Sequence, residues 1–195
     1  MVAVTGGEVP VLWVLARSSG LVAMGLLTLS VLLGIAAGAR TSPSWWPRFV
    51  TQGLHRWTAA TGVLLLVAHV GSVVLDPHAA IDVVDVVVPF DADYRSLWTG
   101  LGTVAVDLLL LVVVTSLLRS RLRPRLWRAL HLCAYAAWAL AVAHGVGAGT
   151  DAGDRWVAAT TAASVGLVVA SAAVRLRRDR GRSGRRYNAH QEVPA

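Results

Sequence analysis

Four of the six histidines fall into a pattern with chemical meaning. His55 and His69 stand 14 residues apart and His131 and His144 stand 13 apart, each pair within one apolar stretch. An ionisable side chain inside a bilayer is expensive, so each of these is a candidate for function. At the rise of an α-helix either spacing is roughly 20 Å, which sets two sites one above the other. A haem held edge-on between helices takes one axial imidazole from each, and two stacked pairs would make an electron path through the membrane. With both axial positions filled the iron offers no open position to oxygen, which favours electron transfer over ligand activation. Zinc or copper would gather its ligands at one depth, which this spacing does not do. The competing reading is a haem-free membrane scaffold or transporter subunit whose structural histidines hydrogen-bond neighbouring helices. His78 and His190 fall outside the apolar stretches and read as solvated residues.

The helical period makes one demand on this pattern. Fourteen steps return to within about 40° of the starting face, so His55 and His69 look into the same interior. Thirteen steps leave His131 and His144 about 140° apart on an ideal helix. The second pair therefore predicts a bulge, kink or tilt in its helix, or ligation from different sides.

The elements that must carry these residues are membrane spans. Of 195 residues, 55% are hydrophobic and 15% charged, and the mean hydropathy is +0.60, too little charge for a water-soluble surface. Five stretches are long enough to cross a hydrocarbon core of roughly 30 Å. They run from Val11 to Ala37, His55 to Leu75, Leu97 to Leu118, Trp127 to Val146 and Trp156 to Val174. The fold expected is an all-α polytopic bundle of five transmembrane helices. Trp13, Trp45, Trp46, Trp57, Trp98, Trp127 and Trp156 lie at or near the boundaries, where an amphipathic ring favours the headgroups, and Trp138 alone falls well inside a span.

Loop charge sets the expected orientation. Arg40, Arg48 and Arg56 flank the first connection, Arg119, Arg121, Arg123, Arg125 and Arg128 the third, and seven more arginines follow from Arg175 to Arg186. Asp76, Asp82, Asp85, Asp91 and Asp93 occupy the second connection, and Asp151 and Asp154 the fourth. Retention of Arg on the cytoplasmic side puts the N-terminus outside and the C-terminus in the cytoplasm. The first span is too long, and its start too poor in basic residues, for a cleavable signal. Residues 1–176 read as one membrane domain and 177–195 as a disordered basic cytoplasmic tail, able to attract anionic lipid or an acidic partner but more simply a solvated segment that fixes topology. All 18 cationic residues are Arg, placed mostly in loops and tail, so a high isoelectric point is no sign of a nucleic-acid partner. The single cysteine, Cys133, excludes an internal disulfide and reads as a small buried residue. Gly62, Gly71, Gly102, Gly145 and Gly147 would permit close approach of a helix or macrocycle.

With these residues in view the chain resembles the ferric reductase-like transmembrane domain, shared by ferric reductases, NADPH oxidases and the haem-binding subunit of a bacterial methionine sulfoxide reductase system. The resemblance rests on Leu15 to Gly20, Leu54-His55-Arg56, Ala68-His69, Val88-Pro89-Phe90, Leu97 to Gly102, Thr115-Ser116, Trp127 to His131 and Ala143-His144. It covers nearly all of the chain short of the tail.

The resemblance implies two non-covalent, bis-histidine haems b, His55 with His131 at the inner site and His69 with His144 at the outer. It places Arg17 near the outer haem, beside a propionate or a reducible anion; snorkelling to the headgroups is the alternative. Arg56 and Arg128 would meet the inner propionates, or serve only as topology determinants. Unlike the NADPH oxidases, the chain has five spans and carries no glycine-rich nucleotide fingerprint, hence no FAD or NAD(P) site. A cytoplasmic flavoprotein or reduced flavin is then the expected donor, an extracytoplasmic molecule the acceptor, and a bacterial cell membrane the location. The outer loop from Asp76 to Asp93 would cover the outer haem, with Val86 to Phe90 dipping into the interface. Any enzymatic activity would be that of an oxidoreductase dependent on a separate donor, and no catalytic side chain is assigned. Asp107, near mid-depth of the third span, is expected to bond to Ser, Thr or backbone on another helix or to carry protons. Trp138 either fills the gap between the haems and aids tunnelling or simply packs the core.

Overall fold

The computed structural model of the protein describes residues 11–38 and 46–191. Among them are seven helices and no strands: α1 (Val11–Gly38), α2 (Arg48–Leu75), α3 (Val83–Val87), α4 (Ser96–Leu117), α5 (Pro124–His131), α6 (Cys133–Ala148) and α7 (Arg155–Gln191). Among the described residues five segments are long and apolar enough to cross a membrane, with α5 and α6 together making the fourth. Helices are the natural outcome for such sequences, because a chain in hydrocarbon must satisfy its backbone polar groups internally. Proline sets several ends: Pro47 precedes α2, Pro77 follows its C-cap Asp76, and Pro124 opens α5. Arg40 and Trp45 lie outside the described residues.

The fourth span carries the irregularity that the 13-residue spacing predicts. Leu132 separates α5 from α6, and its N–H lies 3.2 Å from the carbonyls of both Arg128 and Ala129. Tyr135 N–H then donates to Leu132 O, another i→i+3 bond, at 3.1 Å. Residues in such a tightened turn advance about 120° each rather than 100°, which rotates His131 toward the face of His144.

The last helix differs from expectation. Its backbone continues to Gln191, where composition predicts disorder from residue 177. Extending a helix that is already nucleated within the span adds a hydrogen bond per residue without a new nucleus.

Packing follows the small-residue logic of membrane bundles. Ala23, Ala105, Ala137, Ser19, Thr28, Ser30, Ser72, Thr103 and Thr115 are buried, whereas Leu64, Val67, Leu110, Leu117, Leu167 and Val169 face outward. Helix α1 packs along α2 and α4 along α6, and α1 also touches α6 and α7. Gly62 lets α2 close on α1, since a Cβ there would lie 3.3 Å from Leu27. No comparable packing joins α2 to α6 among the described residues, although these helices, with the end of α5, carry the four histidines.

Candidate functional site

The histidines meet in two tiers across the space between α2 and the α5–α6 span. His55 and His131 have ring centroids 6.1 Å apart and planes inclined at 74°; His69 and His144 are 6.4 Å apart at 78°. The first pair lies toward the Arg-rich end of the bundle and the second toward the Asp-rich end. A metal–imidazole bond is about 2.0–2.1 Å, so two rings facing one metal from opposite sides have centroids about 6 Å apart. Both tiers have that spacing.

Each imidazole is held through Nδ1. His69 Nδ1 donates to Ala16 O at 2.7 Å, His55 to Ser30 O at 2.9 Å and His144 to Trp98 O at 2.9 Å. A carbonyl only accepts, so the proton is on Nδ1 and Nε2 keeps its lone pair for a metal. His131 is held differently, with Nδ1 3.3 Å from Ser116 Oγ. None of the four Nε2 atoms has a hydrogen-bond partner among the described residues.

The carbonyls come from helices that supply no histidine, and glycine exposes them. A Cβ on Gly20 would sit 2.8 Å from His69 Nδ1, one on Gly102 2.6 Å from His144 Nδ1, and one on Gly34 3.5 Å from His55 Cε1. In each case the glycine is four residues after the accepting carbonyl, at Ala16, Trp98 and Ser30, where a side chain on the next turn would otherwise cover it. Gly20 and Gly34 are 14 residues apart on α1, and Gly102 and Ser116 are 14 apart on α4, matching the histidine spacing of α2. Sequence reasoning noted Gly102, quoted Gly20 and Ser116 only within matching stretches without a role, and missed Gly34. The repeated interval was the signal that could have found them.

Two further residues at the Arg-rich tier read from sequence only as a boundary tryptophan and a loop charge. Trp127 stacks on His131 at 5.1 Å with planes 26° apart, and Arg119 lies 5.1 Å from the Trp127 ring. The Trp127 Nε1 atom is buried and has no acceptor among the described residues. A buried indole N–H without a partner calls for an acceptor that the protein does not itself provide. Arg128 turns its Nε back to Pro124 O at 3.1 Å, while Arg56 is exposed beside His55.

Between the tiers, Trp138 is buried and its Nε1 donates to Thr28 Oγ1 at 2.9 Å, tying α6 to α1. At the Asp-rich end Arg17 pairs with Asp151, donates to Thr150 Oγ1 at 3.2 Å and lies over Trp13 at 4.1 Å. Its charge thus fastens α1 to the α6–α7 connection. Arg95 donates to Gly147 O at 2.6 Å and Tyr94 to Ala148 O at 3.4 Å, closing the C-terminal end of α6 one turn beyond His144. The α2–α4 connection folds onto the bundle: Thr103 donates to Asp85 O at 2.8 Å, and the Phe90 ring occupies the space that Gly100 leaves. Asp107 is exposed and makes no hydrogen bond or ion pair among the described residues, so the bond to another helix expected for it does not form within the chain.

The family model for the ferric reductase like transmembrane component matches residues 19–142, well over half of the chain. The chain belongs to this ferric reductase-like family. The match contains His55, His69 and His131 and ends two residues before His144. Searches of curated proteins and of solved structures give no match. Membership in the ferric reductase-like family points to electron transfer across a membrane by a multi-pass protein. The tiers fit the haem that such a role implies on three counts: ring spacing, Nδ1 anchoring that leaves Nε2 of His55, His69 and His144 available, and the Trp127 N–H that has no acceptor among the described residues.

Proposed function

We propose that this protein is a two-haem b membrane cytochrome that relays single electrons from a cytoplasmic flavin or flavoprotein, at its Arg-rich face, to an acceptor at its Asp-rich, extracytoplasmic face. The observation that carries the reading is the double pairing of imidazoles at 6.1 and 6.4 Å with each Nδ1 already engaged. His55 and His131 would hold the inner haem and His69 and His144 the outer. Bis-imidazole haem supplies a one-electron iron couple with no open coordination position.

The chain's own residues bind, orient and exclude water. The carbonyls of Ala16, Ser30 and Trp98 fix three rings in the tautomer a metal needs and strengthen their electron donation. At the inner tier Trp127 N–H and Arg119, with Arg56 and Arg128, would be the donors available to carboxylates of a bound group. At the outer tier Arg17 follows the carbonyl that holds His69, and an anionic acceptor there would have to draw it from Asp151. The α3 segment and Phe90 roof the outer end of α4 and shield that tier from bulk water. Trp138 stands between the tiers as a rigid aromatic group. Arginines concentrated at one end keep that end in the cytoplasm of a bacterial plasma membrane and present a cationic face to an anionic donor. Residues 1–176 form the haem-binding membrane domain in this reading, with the basic segment after it on the cytoplasmic side.

The test is the visible spectrum of the purified protein, oxidised and dithionite-reduced, with haem per chain by pyridine haemochrome. A sharp reduced α band and about two haems b per chain support the reading. A haem-free protein after expression with ample haem would overturn it and leave the histidines as packing residues.

A further inference from the structure

The most costly side chain in the bundle is one that the electron path does not use. Asp107 is the middle of α4, equally far from Ser96 and from Leu117 to within one residue, and is exposed with no partner among the described residues. The other charged residues of the described spans lie toward their ends. Around Asp107 the exposed surface is otherwise apolar: Leu110, Leu111, Val114 and Leu117 follow it on the outward side of α4. A carboxyl facing acyl chains at mid-depth is costly, and such groups as a rule face protein or water.

We propose that the Asp107 face of α4 is an interface with a second copy of this chain. Copies of a membrane protein insert in one orientation, so across a twofold axis along the membrane normal the same residue of each copy lies at the same depth. Asp107 therefore meets Asp107, and two carboxyl groups that hold a proton between them are donor and acceptor to each other. No cation at mid-depth in the described spans offers a different pairing between copies. Leu110, Val114 and Leu117 continue the contact along α4 by side-chain packing. Helix α4 turns its opposite side to α6, so the interface leaves both histidine tiers untouched.

The experiment measures the oligomeric state of the full chain by sedimentation in density-matched detergent across protein-to-detergent ratios. The wild type is expected to dimerise, Asp107→Asn to retain the dimer, and Asp107→Leu to weaken it about tenfold, the scale of one interhelical polar contact. Leu110→Cys in the otherwise unaltered chain is expected to form a disulfide dimer under mild oxidation, beyond that given by Cys133 in the wild type. A wild type that is monomeric at every ratio overturns the proposal. A dimer that Asp107→Leu leaves as tight as before, with no Leu110→Cys cross-link, overturns it as well.

Discussion

At the Asp-rich tier both imidazoles give their Nδ1 protons to backbone carbonyls, of Ala16 and Trp98, each exposed by a glycine that admits no side chain. At the Arg-rich tier one ring has the carbonyl of Ser30 and the other only the hydroxyl of Ser116, 3.3 Å away, with Trp127 stacked on its face. The residue types are identical and the ring separations differ by a few tenths of an ångström. What differs is how firmly each ring is oriented and how much electron density its hydrogen bond sends toward a metal. In the proposed two-haem reading, ligand identity alone would leave open how the two tiers share an electron, and the neighbouring helices would decide it.

The largest effect should come from removing a ligand. His69→Ala or His144→Ala is expected to lose about half of the bound haem, from the Asp-rich tier, and His55→Ala or His131→Ala the other half, read by haem-to-chain ratio and by stepwise redox titration. Loss of both haems from a well-folded single variant would mean that the tiers are not separate sites. Next comes the glycine contrast. Gly20→Ala and Gly102→Ala force a methyl to within 2.8 and 2.6 Å of an imidazole nitrogen, whereas Gly34→Ala gives an ordinary contact at 3.5 Å. Overpacking of this kind costs about 1–3 kcal/mol, so the first two should bind the haem of their tier poorly and the third should remain loaded.

A smaller effect is expected in redox potential. Ser116→Ala removes the partner of His131 Nδ1 and should raise the midpoint potential of the Arg-rich tier; Ser116→Thr should leave it in place. Ser116→Gly, which opens the carbonyl of Val112 one turn back, should lower it. Equal shifts in the Ala and Gly variants would show that Ser116 acts only by filling space. The smallest effect concerns the link between tiers: Trp138→Phe keeps an aromatic ring but loses the bond to Thr28, and should reduce thermal stability by about 1 kcal/mol with both haems retained.

Much of this site was legible in the sequence because a membrane makes apolar length and charged exceptions so conspicuous. The spans expected from Val11 to Ala37 and from Leu97 to Leu118 fall within a residue of α1 and α4, while α2 starts earlier, at Arg48, because its first two turns are amphipathic and lack the uniform apolar character of a span. The 13-residue interval foretold an irregular fourth span, and the break lies at Leu132, one residue beyond His131. Arg17 shows the opposite case: from sequence it is a cation that the resemblance sets near an outer haem or that snorkels to the headgroups, and its partner, Asp151, is 134 residues away in the chain. Asp107, expected to bond to another helix or to carry protons, is exposed and has no bonding partner among the described residues.

The sequence by itself determined the five apolar spans, the end at which arginines collect and the depths of the four histidines, because hydropathy and helical rise act residue by residue along one chain. Tertiary structure alone decided which carbonyl receives each Nδ1 proton, that Ser116 stands where the register would place a glycine, that Trp127 keeps an unpaired N–H, and which way Asp107 points. These depend on the rotation of one helix against another, and that rotation is set by the small residues through which the helices touch.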